Sequence, residues 1–262
     1  MNTNYNSPNF SNPPLAEVAC GVSFDPLLNI KSTVFGSFWN IIKEDFPEIE
    51  EQTPIPIQSQ FPNFIISNLP QLRRLWFINQ EYNKLIQVQQ DRFLFNWKKS
   101  DNENDTYPRF HKIYSKFEDY LRKYKEHLKS TYEIKLDYHS FNLAYINKID
   151  VNANEINSVF KEEILLNQEI NSLTQISSQI SKEFFSKKEG IGDFRIIINL
   201  KINLTKENEN MRTIRLEILV DSIKKEEDIL QEWFDQAHIE INNIFLAITS
   251  EKMQEKWGLQ RK

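Results

Sequence analysis

"LIQVQQDRFLFNWKK", residues 85–99, is the stretch on which the reading of the fold turns. Ile86 and Val88 fall on even positions, whereas Phe93, Phe95 and Trp97 fall on odd ones. One straight strand cannot hold both apolar sets on one face, because the side-chain period of a strand is two. Either a tight turn near Gln90-Asp91 makes a meander, or a bulge bends a single strand; the turn is the preferred reading. Just upstream, "RLWFINQE" followed by the turn residues "YNK" supplies another alternating segment.

The alternation continues in both directions along the chain. Ala16, Val18, Cys20, Val22 and Phe24 mark a strand near the start, and Asp25-Pro26 breaks it. Ile30, Val34, Phe35, Phe38, Trp39 and Ile42 then recur at helical spacing up to Phe46-Pro47, and a Pro-rich connector, "EEQTPIPIQSQFPNF", follows. Past residue 99, Thr106 suits an N-cap and Pro108 a first turn for a long helix striped by Phe110, Ile113, Phe117, Tyr120, Leu121, Tyr124 and Leu128.

The order then recurs. Phe141 to Ile149 alternate, residues 154–166 carry a short helix pattern, and Phe194 to Leu204 and Ile214 to Val220 alternate again. A last helix is striped by Ile229, Leu230, Trp233, Phe234, Ala237, Ile241, Ile244, Phe245 and Ile248. The Ser-, Gln- and Asn-rich stretch 167–190 reads as mixed helix and loop.

The fold class is therefore α+β: an antiparallel sheet covered by long helices, since a one-sided strand buries its apolar side against something. The elements fall into a flexible tail at 1–13 and two strand-helix-strand-strand-helix units, 14–130 and 139–257, fused into one body. The leading strands begin near Leu15 and Phe141 and the second members of the strand pairs near Leu85 and Met211, both 126 residues apart. This pattern suggests internal duplication, with coincidence as the alternative.

Composition limits the function classes. A net charge of −5 argues against generic polyanion binding by the whole chain. The single cysteine, Cys20, lies in a strand pattern and reads as a buried thiol that can form neither an internal disulfide nor a metal site. No window approaches the about 18 apolar residues of a membrane span, and the N-terminus has no signal-peptide pattern, so the expectation is a cytoplasmic protein without membrane attachment. Five glycines form no phosphate-binding fingerprint. The four histidines are too scattered for a metal centre, with His111 and His127 assigned to the polar side of a helix and His238 bordering an apolar stripe.

"PPLAEVACGVSF", "LIQVQQDRFLFNW", "YPRF", "AYINKI" and "AHIEINNIFLAIT" with a closing "KWG" resemble, in this order, a sporadically distributed bacterial family that spans nearly the whole chain. The resemblance supplies no catalytic residues to carry over. It implies an accessory protein of a mobile or defence locus.

The candidate ligand or partner surface is Gln87, Gln89, Arg92, Asn96 and Trp97, joined by Tyr145, Asn147 and Glu17 from other strands. A guanidinium, several amides and a carboxylate fix donors and acceptors in direction, as polar recognition requires. The alternative is a solvated face, with Asp91-Arg92 as a turn ion pair. Glu17, among Leu15, Ala16, Val18 and Ala19, calls for a partner, for which Arg92 and Lys148 are candidates.

Residues 107–130 hold seven Lys or Arg against three Asp or Glu, with Trp97, Lys98 and Lys99 just upstream; a basic helix beside an aromatic can track a phosphate backbone, but the overall acidity makes a solvated helix face the preferred reading. No nucleophile or metal set accompanies these residues, so no cofactor is expected and an enzyme with an unrecognised site is the more distant rival. The reading is a non-enzymatic binding or interaction module for a protein or small-molecule ligand.

Overall fold

The parity change at residues 85–99 is made by a turn. β4 (Arg74–Ile78), β5 (Lys84–Gln89) and β6 (Arg92–Lys98) form an antiparallel meander. Val88 lies opposite Phe93 and Ile86 opposite Phe95, so even positions on β5 share a face with odd positions on β6. A positive φ of 56° at Tyr82 closes the preceding turn.

The computed structural model describes residues 8–27, 30–56, 72–100, 102, 106–161, 177–205, 208–222 and 229–260. In chain order the remaining strands are β1 (Asn9–Phe10), β2 (Leu15–Phe24), β3 (Glu48–Gln52), β7 (Tyr138–Asn152), β8 (Ser177–Lys188), β9 (Gly192–Thr205), β10 (Asn208–Ser222) and β11 (Leu259–Gln260). The helices are α1 (Thr33–Ile42), α2 (Phe110–Tyr132), α3 (Leu230–Ile248) and α4 (Glu251–Lys256), with a 3-10 turn over Ala153–Ser158. The fold is mixed α+β with a large antiparallel sheet.

Two units divide the chain: Val18–Asn142 with Ile223–Asp228, and Met1–Glu17 with Leu143–Ser222 and Ile229–Lys262. In the first the strands run β3-β4-β5-β6-β2, and α2 packs on β6. Phe38 of α1 meets Phe77, Phe93 and Tyr124 with ring centroids 6.2, 6.3 and 4.9 Å apart. Every residue of the anticipated α2 stripe is buried, because the helical period aligns all seven toward the sheet.

In the second unit the strands run β7-β10-β9-β8, and α3 packs on β10. Trp233 is fully enclosed against Phe194 and Phe234, with ring centroids 5.5 and 5.0 Å away.

Several elements depart from the sequence expectations. α2 starts at Phe110, preceded by Arg109 at φ 76°, so neither Thr106 nor Pro108 enters the helix. An edge strand, β3, runs from Glu48 into the start of the connector, and its glutamates show no alternation because neither of its faces is fully covered. Residues 177–188 of the anticipated helix-and-loop stretch form β8, a second edge strand with the same masked pattern, while 167–176 lie outside the described residues. The short helix expected at 154–166 is a 3-10 turn as far as Ser158, and 162–166 lie outside the described residues. Asn9–Phe10, placed in the tail by composition, pairs with Leu259–Gln260, and Phe10 packs edge-on against Phe245 at 5.7 Å. His127 is buried toward α1 instead of lying on the polar side of its helix: its Nε2 is 2.9 Å from Ser37 Oγ.

Candidate functional site

The register of the β4–β6 meander sorts its side chains into two sets. Leu75, Phe77, Ile86, Val88, Phe93, Phe95 and Trp97 share the face that carries the aromatic core with α1 and α2. Arg74, Trp76, Gln87, Gln89, Arg92, Leu94 and Asn96 share the other. Its amides are closed off from water, since Gln87, Gln89, Gln90, Asp91 and Asn96 are all buried, while Arg74, Trp76, Arg92 and Leu94 are half-buried. A buried amide is tolerable only if its donors and acceptors are paired.

They are paired with one another and with backbone. Gln87 Nε2 donates to Asn96 Oδ1 at 2.8 Å, and Gln87 Oε1 accepts from Trp76 Nε1 at 2.9 Å and Arg74 Nη1 at 3.0 Å. Gln89 mimics a strand partner for Ile55, accepting from its N–H and donating to its carbonyl, both at 2.8 Å. The Gln89 amide also donates to Asp91 Oδ1 at 2.9 Å. Gln90 Oε1 accepts from Leu72 N at 2.9 Å. Asp91 takes two bonds from Arg92, at 3.1 and 2.8 Å, and Arg92 reaches Pro56 O at 3.2 Å. A turn ion pair therefore exists, with 15% of the Arg92 and 6% of the Asp91 side chain exposed, which is more sheltered than a surface pair.

Two cations and an indole complete this face. The Arg74 guanidinium lies 5.4 Å and the Lys98 ammonium 5.1 Å from the centre of the Trp76 ring. Arg74 Nε is buried without a hydrogen-bond partner among the described residues, and no carboxylate pairs with Arg74 there. Burial, and secondarily the positive charge of Arg92, hold Arg74 below the usual arginine range. Arg74, Trp76 and Lys98 were not among the residues singled out from sequence. Their signal was the alternation of "RLWFINQE", which places Arg74 and Trp76 on one face.

The other candidates have separate settings. Trp97 belongs to the apolar face, its ring 5.4 Å from Tyr107. In the second unit Tyr145 and Asn147 lie on the helix-covered side of β7, with Leu143 and Ile149. Tyr145 Oη is 2.7 Å from His238 Nδ1 on α3, and Asn147 Nδ2 donates to Leu216 O at 3.4 Å. Asn242 adds a contact 3.1 Å from His238 Nε2. Glu17 is half-buried on β2. Lys148, one of its anticipated partners, lies 3.9 Å from Asp150, and Arg92, the other, is engaged with Asp91.

On α2, Arg122 joins Asp119 at 2.6 Å and Glu126 at 3.2 Å, and Lys123 joins Asp119 at 3.2 Å. Lys125 sits 5.6 Å from the Tyr138 ring, and burial and then Lys135 lower its pKa. Among the described residues, Arg122 and Lys123 are thus the cations of this stretch that are paired within the helix. The Cys20 thiol is buried, which pushes its pKa strongly up and disfavours the reactive thiolate. Among the described residues no three His, Cys, Asp or Glu side chains gather to hold a metal, and no helix is long and apolar enough to cross a membrane.

Set beside family models, curated proteins and solved structures, the chain matches none.

Proposed function

We propose that the protein is a non-enzymatic binding module that takes an anionic ligand group, a carboxylate or a phosphate, on the Arg74, Trp76, Gln87 and Asn96 face of its first unit. The observation that carries this reading is Arg74: a sheltered guanidinium with an amide partner, a second guanidinium nearby and no carboxylate partner among the described residues. A cation in that setting favours an incoming anion, and its planar fork suits two oxygens at once. Trp76, flanked by Arg74 and Lys98, offers a flat apolar surface beside the charge. The amides of Gln87 and Asn96 fix that arrangement from beneath. The ion pairs of Arg122 and Lys123 within α2 withdraw two of the seven cations of 107–130 from a phosphate backbone. The motif resemblance supports a role as an accessory protein of a mobile or defence locus in the bacterial cytoplasm.

The duplication belongs to the same proposal. Its support is a shared order: leading strand, helical segment, meander (four strands, β3–β6, in the first unit and three, β8–β10, in the second), long helix, with the leading strand beside the last strand of the meander in each unit. That order matches β6 with β10, so Leu85 and Met211 are not equivalent positions. An experimental structure in which β2 and β7 fail to superpose once the meanders are matched would end it.

The ligand test is thermal denaturation with inorganic phosphate, a nucleoside monophosphate and a glutamate-rich peptide. At least one probe should stabilise the wild type, and Arg74→Gln should lose that gain through removal of charge-assisted bonds of about 1.5–3 kcal/mol. No stabilisation by any probe, or an equal gain in Arg74→Gln, overturns the reading.

A further inference from the structure

Each unit ends its strand order on an edge strand, β3 in the first and β8 in the second, and among the described residues no strand pairs with the outer side of either. Such an edge presents unpaired N–H and C=O groups and templates strand addition unless something blunts it. Five large apolar side chains are exposed among the described residues, and three of them sit on these two strands: Ile49 at 42%, Phe184 at 39% and Phe185 at 66%.

The two edges carry opposite charge. β3 is "EIEEQ", with exposed Glu48, Glu50 and Glu51 and no cation. β8 is "SSQISKEFFSKK": Glu183 is held by Arg195 at 2.7 Å and Lys188 by Glu240 at 2.5 Å, which leaves Lys182 and Lys187 as the edge's uncompensated charges among the described residues. The registers also show which charges sit on the helix-packed sides. Glu51 lies opposite Leu75, on the Phe77 face, and Lys182 lies opposite Ile198, on the side of Ile196 and the buried Phe194. A charge on that side opposes pairing with a like edge. Pairing β3 with β3 would bring glutamates together, and pairing β8 with β8 would bring lysines together. Antiparallel pairing of β3 with β8, with Glu51 opposite Lys182, sets Ile49 opposite Phe184 and Glu48 opposite Phe185, two residues short of Lys187, and leaves Glu50 opposite Glu183, whose charge Arg195 already compensates.

We infer that the protein assembles with further copies of itself by strand addition, β3 of one copy docking along β8 of another. The contact is heterologous, because two different surfaces meet, so it propagates beyond a dimer unless its rotation closes a ring. Its charge complementarity makes it weaken with salt.

The test is sedimentation velocity over a concentration series at low and high salt. It compares the wild type, Glu50→Lys/Glu51→Lys, Lys182→Glu/Lys187→Glu, and an equimolar mixture of the two variants, with thermal melts to establish that each is folded. The wild type should form species larger than a dimer that diminish at high salt. Each variant alone should stay monomeric, since both of its edges then carry the same sign, and the mixture should recover association. A wild type that is monomeric throughout overturns the inference. So does a β3 variant that associates like the wild type, which points to β8 pairing with itself, and so does a mixture of folded variants that stays monomeric.

Discussion

Gln87 Nε2 donates to Asn96 Oδ1 across 2.8 Å between adjacent strands, and both side chains are buried. Deleting the Asn96 amide leaves a Gln87 donor without that acceptor in a sheltered place. Asn96→Ala should therefore lower unfolding free energy by about 1–3 kcal/mol, the range for orphaning a buried polar group. Urea unfolding measures it, and a loss below a few tenths would mean that water replaces the bond at no cost.

The Tyr145 hydroxyl, 2.7 Å from His238 Nδ1, joins β7 to α3 inside the second unit. Tyr145→Phe keeps the ring and removes the hydroxyl that makes this bond, so it should cost about 0.5–1.5 kcal/mol. It should also leave the anion-dependent stabilisation intact, because Tyr145 and Asn147 face the helix-packed interior of their own unit. Melts of the variant with and without the effective probe measure both; loss of the probe response would return Tyr145 to the ligand surface.

His127 gives a pH dependence with a definite sign. Burial lowers its pKa below the ordinary value, so the unfolded chain takes up a proton on this ring before the folded one does. The stability associated with neutral His127 is complete above about pH 6.5, the unperturbed histidine value, and falls as pH drops toward the lower folded pKa. Melting temperatures through this range should fall less steeply for His127→Gln than for the wild type. An identical slope would assign the acid sensitivity to other groups.

The meander and both long helices were legible because each buries one side, and burying one side imposes a period on the sequence. The switch from even Ile86 and Val88 to odd Phe93 and Phe95 even located the turn between β5 and β6. β3 and β8 left no such trace, since an edge strand has little to bury on its outer flank and Glu48–Gln52 and Ser177–Lys188 are correspondingly polar. The polar positions of the site were visible, but their burial was not. Gln89 is sheltered by the backbone of Ile55, 34 positions away, and no local pattern encodes that meeting. Tyr145 and Asn147 were grouped with Gln87 because alternation marks which residues share a face of one strand, without saying which face of another strand that corresponds to.

Trp233 tests how the second unit is held together. It lies in the first turns of α3, has no solvent exposure, and meets Phe194 of β9 and Phe234 of its own helix in edge-on contacts. Ala237 and Ile241 continue its stripe one and two turns further on, and both are buried. Truncation removes the largest side chain of this cluster and leaves a cavity that close-packed neighbours fill only in part. Trp233→Ala should cost about 3–5 kcal/mol, a large share of the total stability of a typical domain. Chemical unfolding followed by far-UV circular dichroism, with light scattering on the same samples, distinguishes the roles of this face. A strongly destabilised or unfolded variant makes it core, whereas a stable variant that changes only its oligomeric state would make it an interface between molecules, and the complete burial of Trp233 makes the first the expected result.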